Sequence, residues 1–456
     1  MTDPADEYNV VFLVLDSLRK DRVSAYNEAV DFTDTLQSIA DDALRFDDAV
    51  TQAPWTLPSH ASMFTGQYPW QHGTTHARSY FPAGESTVIS QFSDAGYATG
   101  AITSNVWITP HKGMTGDFDY VENFLGSADN ALSRRISKAV TKLYDALGTL
   151  PKRILGRQLD RAFRLFDVDD SCKSEETVAA VEQYFADRDP DERFFLYVNL
   201  MEPHEPYYPP QTYLDKHGVE DESKIPHRQK DMFTKDDIDF GELAKAYDAS
   251  VDYTDDLVGR ITDALAANNL DEDTVVVVLS DHGQALGEDG LFGHQFTVTD
   301  PVIETVLFVD HPDLAAGTES RPFELRKLYD LLPYYAGLTP TEPDVFGNTV
   351  RGGCEFPENF TGYIPREEWD EYYRQHRYLL RDGTKVVKSV AEGGEPRYAA
   401  YDRETGEAVP VPDDLKAEID RIEDVTVADD AEQPEAERPG DGDDEIADRL
   451  EALGYK

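Results

Sequence analysis

The run Asn9-Val10-Val11-Phe12-Leu13-Val14-Leu15, closed by Asp16-Ser17, decides how this chain is read. It is rich in Val, nearly continuous in apolar side chains and too short for a helix. That makes it a strand buried on both faces of a parallel sheet. It ends on a carboxylate, and in open α/β sheets ligands collect at the carboxyl ends of the strands. Two further runs repeat the pattern. Residues 274–279 stop at Ser280-Asp281-His282-Gly283, and residues 194–200 stop at Met201-Glu202-Pro203-His204-Glu205-Pro206-Tyr207. Each delivers acids or imidazoles where a strand ends.

Between these runs, in 86–95, 178–187 and 243–267, apolar residues recur at three- and four-residue spacing, the helical period. Alternation of strand and helix over about three hundred residues predicts an α/β fold, a mainly parallel, doubly wound sheet flanked by helices. We assign it to residues 1–340, because the alternation stops after Leu338-Thr339-Pro340. Beyond it, 378–380, 384–390 and 397–401 read as strands, the first two joined by the hairpin signal Asp382-Gly383. A smaller antiparallel-sheet subdomain with one helix is expected in 341–422. Residues 423–456 read as an acidic solvated linker and a short terminal helix.

Composition sets the limits. The 456 residues are 40% hydrophobic, enough for a large core, and the 11% aromatic content excludes a chain left unfolded by its acidity. A formal net charge of −48 opposes nucleic-acid binding and reads as a surface suited to dense salt. Cys172 and Cys354 lie far apart, so neither a disulfide framework nor a zinc cluster is indicated. No stretch approaches the apolar length of a membrane span and Met1–Tyr8 is polar, so a high-salt cytoplasm is the default location. One segment breaks the acidic pattern. Residues 133–166 carry Arg134, Arg135, Lys138, Lys142, Lys152, Arg153, Arg157, Arg161 and Arg164 against Asp145 and Asp160, with apolar residues at helical spacing. It reads as a basic helical insertion: a cap on the acidic body, or a peripheral contact with an anionic membrane or lipid-linked substrate.

The chemical centre is Ala53-Pro54-Trp55-Thr56-Leu57-Pro58-Ser59-His60-Ala61-Ser62-Met63-Phe64-Thr65-Gly66. Thr56 stands two residues before Pro58 and ahead of a helix-capable run, which places its hydroxyl at a helix N-terminus, where N–H groups and the helix dipole favour an anion. The same position suits a plain helix cap. His60 and His72 are read as packing residues or substrate contacts, and Asp255 and Asp256 as structural.

Five stretches together resemble the sulfatase family of the alkaline phosphatase superfamily over residues 9–338. They are Val14-Leu15-Asp16-Ser17-Leu18-Arg19-Lys20-Asp21-Arg22; Thr56-Leu57-Pro58-Ser59-His60 with Phe64-Thr65-Gly66-Gln67-Tyr68-Pro69; His204-Glu205-Pro206-Tyr207; Tyr253-Thr254-Asp255-Asp256-Leu257-Val258-Gly259-Arg260; and Ser280-Asp281-His282-Gly283 with Gly293-His294. The resemblance implies an alkaline phosphatase-like fold and a metal-dependent hydrolase acting on an anionic phosphate or sulfate ester, glycan- or lipid-linked in some members. Two departures matter. Typical sulfatases carry Cys or Ser, oxidised to formylglycine, where this chain has Thr56, and threonine cannot give that aldehyde. The position is similar instead to the threonine-nucleophile phosphodiesterases and phosphoglycerol transferases. Ser17 replaces a usual second acid, and His282 stands where calcium sulfatases tend to have Asn.

A threonine hydroxyl is a weak nucleophile until a cation lowers its pKa. Asp16, Asp281 and His282 are the expected ligands of one divalent metal, with Thr56 completing the shell. Fewer hard oxygens and an added imidazole favour Mn2+ or Zn2+ over Ca2+ or Mg2+. His204 and His294 are the candidate proton donors to the leaving oxygen. A phosphoglycerol- or phosphoethanolamine-type transferase is the second reading, and a non-catalytic protein that holds an anionic glycan the third.

Overall fold

Every residue of β1 (Asn9–Leu15) is buried, and its side chains alternate between two cores. Val10, Phe12 and Val14 pack with Phe195, Tyr197, Val277 and Leu279, whereas Val11, Leu13 and Leu15 pack with Leu196, Val198, Val276 and Val278. A strand with apolar neighbours on both faces needs a covering layer on each, which is why a continuous run encodes it. The computed structural model describes residues 7–82, 84–124, 173–235 and 237–422. The expected insertion at 133–166 and the linker with its final helix at 423–456 lie outside the described residues.

The remaining strands in chain order begin with β2 (Leu44–Phe46), β3 (Ala49–Val50), β4 (Ala98–Thr103), β5 (Tyr120–Asn123), β6 (Phe194–Leu200), β7 (Thr274–Leu279), β8 (Ala285–Leu286) and β9 (Phe292–Gly293). They continue with β10 (Leu307–Asp310), β11 (Gly317–Glu319), β12 (Phe323–Glu324), β13 (Thr349–Cys354), β14 (Arg374–Arg381), β15 (Thr384–Ala391) and β16 (Arg397–Asp402). The main sheet has the order β11-β2-β10-β7-β1-β6-β4-β5. From β7 to β5 its neighbours are parallel, while β10 runs antiparallel to β7 and β2. Helices α1 (Asp34–Asp42), Ser174–Asp187 and Phe240–Ala267 cover one face. Helices α2 (Thr56–Thr65), Val88–Asp94 and Leu328–Tyr335 cover the other, so the sheet is doubly wound.

The second sheet, β13-β14-β15-β16, is antiparallel throughout. Asp382 (φ 49°) and Gly383 (φ 75°) form its β14–β15 turn; two left-handed residues are what the type I′ hairpin signalled by Asp-Gly requires. Of this sheet's strands, the one absent from the sequence reading is β13, hidden by Gly352 and Gly353. A Cβ on Gly352 would lie 2.2 Å from the Tyr378 hydroxyl, and the glycine admits that hydroxyl to donate to the Thr51 carbonyl. The second sheet is thereby tied to the segment that leads into α2. Helix Asp413–Ile419 packs Leu415 and Ile419 against Leu379, Val386 and Ala400. Among the described residues no helix is long and apolar enough to cross a membrane.

The long helix Phe240–Ala267 also carries structure across the molecule. Helix α1 has no side-chain cap at Thr33; the two carboxylate oxygens of Asp255 instead accept from the Thr35 and Leu36 N–H groups, each at 2.8 Å. Asp255→Ala leaves the buried Leu36 N–H and the half-buried Thr35 N–H unpaired and is expected to lower the unfolding free energy by about 1–3 kcal/mol. Urea denaturation checks it, and an unchanged midpoint would remove Asp255 from this role.

Candidate active site

The register of β1 against β7 pairs Val14 with Leu279, so two residues further on Asp16 and Asp281 emerge side by side. Ser17 turns the chain with a left-handed φ of 60°, a strained conformation for a non-glycine residue. The turn lets the Ser17 N–H reach Asp281 Oδ1 at 3.2 Å and its hydroxyl reach Asp16 Oδ1 at 3.0 Å. Tyr247, on the long helix, holds the bend: its hydroxyl accepts from the Arg19 N–H at 2.7 Å and donates to the Ser17 carbonyl at 2.8 Å. Asn105, just past β4, donates from Nδ2 to Asp16 Oδ2 at 2.8 Å. Gly283 is required by crowding, since a Cβ there would sit 2.0 Å from the Pro301 carbonyl oxygen.

His282 is oriented from both sides. Its N–H donates to Asp281 Oδ1 at 2.9 Å, and its Nδ1 faces the Gly283 carbonyl at 2.9 Å. A carbonyl only accepts, so Nδ1 carries the proton and Nε2 is left as a lone pair. That Nε2 stands 3.4 Å from Asp281 Oδ2 and 3.9 Å from Asp16 Oδ1.

The two acids of this grouping have no described Lys or Arg partner. Burial, then the neighbouring Asp281, pushes the Asp16 carboxyl up to about 6. Burial pushes Asp281 up to about 7 against the N–H bonds that it accepts from Ser17 and His282. Among the described residues no Lys or Arg pairs with either acid, and Asp281 Oδ2 and His282 Nε2 are buried without a hydrogen-bond partner. Donor atoms of Asp16, Asp281 and His282 all lie within 4.8 Å of one another. Two carboxylates and an imidazole with unsatisfied lone pairs, closed off from water, fit a divalent metal ion.

Thr56 is the first residue of α2, entered from Trp55 in extended backbone, and every residue of α2 is buried. Its hydroxyl stands 3.4 Å from Asp16 Oδ2, and the helix N-terminus opens toward the same point. Ser59 locks the helix in place by donating to the Asp281 carbonyl at 2.8 Å. His60 Nδ1 faces the Thr56 carbonyl and its Nε2 the Tyr197 hydroxyl, each at 2.9 Å. With both nitrogens engaged and burial pushing its pKa down to about 3, His60 is a neutral packing residue. His72 likewise spends its nitrogens on Ser62 and the Thr74 N–H, each at 3.1 Å.

A second group faces this one. The His204 and His294 rings lie 5.2 Å apart, and His294 stands 4.5 Å from the His282 ring. Burial disfavours the His204 imidazolium, yet the carboxylates of Glu205 and Asp16 outweigh it, and the pKa lies above the usual value. His294 goes the other way: burial, then His282 and His204, hold it well below. Donor atoms of His204, Glu205 and His294 also lie within 4.8 Å of one another. Glu205 is engaged by the Gln284 amide at 2.7 Å, and a His204 whose charged form its neighbours favour beside a His294 whose neutral form burial favours suits proton handling. Sequence reasoning missed Asn105 and Gln284. The strand-end rule would have found Asn105 had Ala98–Thr103, with its small residues, been recognised as a strand.

An open α/β sheet that gathers buried acids, an imidazole and a helix-borne hydroxyl at its carboxyl edge defines an ester hydrolase of the alkaline phosphatase-like fold. The chain belongs to the Sulfatase family, whose model matches residues 8–333. It is 25% identical over 359 residues to an arylsulfatase of Clostridium perfringens (strain 13 / Type A), covering 71% of this chain and 73% of the relative. It is 24% identical over 399 residues to the sulfatase YidJ of Escherichia coli (strain K12), covering 79% of this chain and 76% of the relative. In structure it is similar to the phosphonate monoester hydrolase of Agrobacterium radiobacter, with a TM-score of 0.65 at 15% identity over 90% of this chain and 93% of that one.

Glu202, at the end of β6, is buried and accepts from the Ser174 hydroxyl. Burial raises its carboxyl from 4.5 to about 7. The folded state therefore holds this proton more tightly than the unfolded chain, and stability is lost as pH climbs from 4.5 to 7 and then levels off. Glu202→Gln mimics the protonated form. Its melting temperature is expected to exceed that of the parent above pH 7 and to converge on it below pH 4.5; a gain independent of pH would contradict the assignment.

Proposed function

We propose that the protein hydrolyses phosphate esters, monoesters or diesters, and by the same chemistry sulfate esters, through unmodified Thr56 as nucleophile. The observation that carries this reading is the Thr56 hydroxyl, at a buried helix N-terminus 3.4 Å from Asp16, beside two buried donor atoms without partners. Asp16, Asp281, His282 and Thr56 would hold a divalent ion, Mn2+ or Zn2+ by donor chemistry. Such an ion supplies charge that lowers the threonine pKa and stabilises the non-bridging oxygens of the ester.

The chain's own groups do the rest. The N–H groups of the first turn of α2 orient the anionic ester. Thr56 Oγ gives up its proton toward Asp16 Oδ2 and forms a bond to phosphorus as the bond to the ester oxygen breaks. The leaving oxygen takes a proton from His204, whose environment favours the imidazolium. Water then attacks the phosphothreonine, passing its proton to the neutral His294, and the Thr56 oxygen leaves and recovers its proton. Passage of a proton from the His294 imidazolium to His204, the two rings lying 5.2 Å apart, closes the cycle, so the sum is ester plus water giving alcohol plus phosphate with every side chain restored. The sulfatase and phosphonate monoester hydrolase names among the relatives support this reading of the substrate class.

Thr56→Ala is expected to cut kcat/KM on aryl phosphate esters by about 10⁴-fold or more with the melting temperature unchanged. Chelation is expected to abolish turnover, and Mn2+ or Zn2+ to restore it. Full activity in Thr56→Ala would sink the assignment.

A further inference from the structure

Gln284 follows the Asp281-His282-Gly283 turn and is fully enclosed. Its amide end, Nε2, donates to Glu205 Oε2 at 2.7 Å and to the Tyr207 hydroxyl at 3.0 Å. Its carbonyl end, Oε1, faces His294 Nδ1 at 2.8 Å, and its backbone carbonyl is held by Arg19 Nη1 at 3.1 Å. The direction of the side-chain amide is not arbitrary. A carboxylate only accepts, so the NH2 group must point at Glu205, and Oε1 must then point at His294. An oxygen there can only accept, so His294 Nδ1 carries the hydrogen. The neutral ring is left with an unprotonated Nε2, and that atom is buried with no hydrogen-bond partner.

We propose that Gln284 is a positioning residue that passes the polarity of the Glu205 carboxylate to His294, fixing its ring as the Nδ1–H tautomer so that Nε2 accepts a proton in the site. This deepens the reading given under Proposed function and rests on it for the identity of that proton. A His294 with its hydrogen on Nε2 would present a donor where the hydrolytic water needs an acceptor. Gln284 is fully enclosed and its side-chain polar atoms are engaged by Glu205, Tyr207 and His294. It acts through His294, in the way that an orienting group fixes a catalytic or metal-binding imidazole.

The test is nitrogen NMR of the full chain, zinc-loaded and labelled at its histidine ring nitrogens, with the His294 signals assigned by their loss in His294→Ala. The parent protein is expected to show His294 protonated at Nδ1 and bare at Nε2. Gln284→Met keeps the side-chain length and removes all three side-chain hydrogen bonds. It is expected to move His294 toward the Nε2–H form and to lower kcat by about 10- to 100-fold, with KM little changed. Glu205→Gln, which frees the Gln284 amide to reverse, is expected to show the same tautomer shift. A parent His294 protonated at Nε2, or at both nitrogens, overturns the proposal without recourse to any variant. So does a Gln284→Met protein that keeps the Nδ1–H tautomer or the parent kcat. Absence of ester turnover in the parent would count against the proposed function alone, since the tautomer in parent and variants still decides the role of Gln284.

Discussion

Two carboxylates, Asp16 and Asp281, are forced into one buried spot by the pairing of β1 with β7. Like charges in an apolar interior cannot both remain ionised without compensation. The structure around them is arranged to live with that conflict. Ser17 adopts a left-handed conformation so that its N–H and hydroxyl face the two acids. Asn105 and the His282 N–H take further lone pairs, and no described Lys or Arg pairs with either acid. What is left over, a carboxylate oxygen and an imidazole nitrogen without partners, is a demand for a divalent cation. The Thr56 hydroxyl stands 3.4 Å from Asp16 Oδ2, so under the proposed function the residues that meet this conflict would also activate the nucleophile.

The two groups of histidines divide along the same physical line. His60 and His72 have both ring nitrogens engaged and are closed off as neutral packing residues. His204 sits against Glu205 and Asp16 and favours its charged form; His294 sits among other imidazoles and favours its neutral one. Groups in one pocket whose environments drive their pKa values apart are suited to opposite halves of a proton-transfer cycle. Exposure alone would not separate these four residues, since all are buried. Their hydrogen-bond partners do.

Much of the fold was legible because its central strands are buried on both faces. Continuous runs such as Asn9–Leu15 and Thr274–Leu279 leave no room for another reading, and their polar terminators place Asp16, Asp281 and His282 at one edge. Strand β4 was not legible, since Ala98–Thr103 is mostly small residues, with Gly100 placed against Leu196 and Tyr184, and Asn105 was lost with it. Strand β13 hid behind the glycines that admit Tyr378. The choice between ligand, proton donor and packing residue for each histidine depends on hydrogen-bond partners distant in sequence, such as Tyr197 for His60 and Gln284 for His294. No spacing rule encodes those contacts.

The proposed hydrolysis requires Thr56 to form a covalent phosphoryl intermediate, and the stereochemical course at phosphorus tests this most directly. With a phosphorothioate monoester made chiral by sulfur and oxygen isotopes and hydrolysed in water of the remaining isotope, two successive in-line displacements, first by Thr56 and then by water, give net retention of configuration. Retention is the predicted result. Inversion would mean that water attacks the ester directly and that Thr56 is only a helix residue beside the metal site.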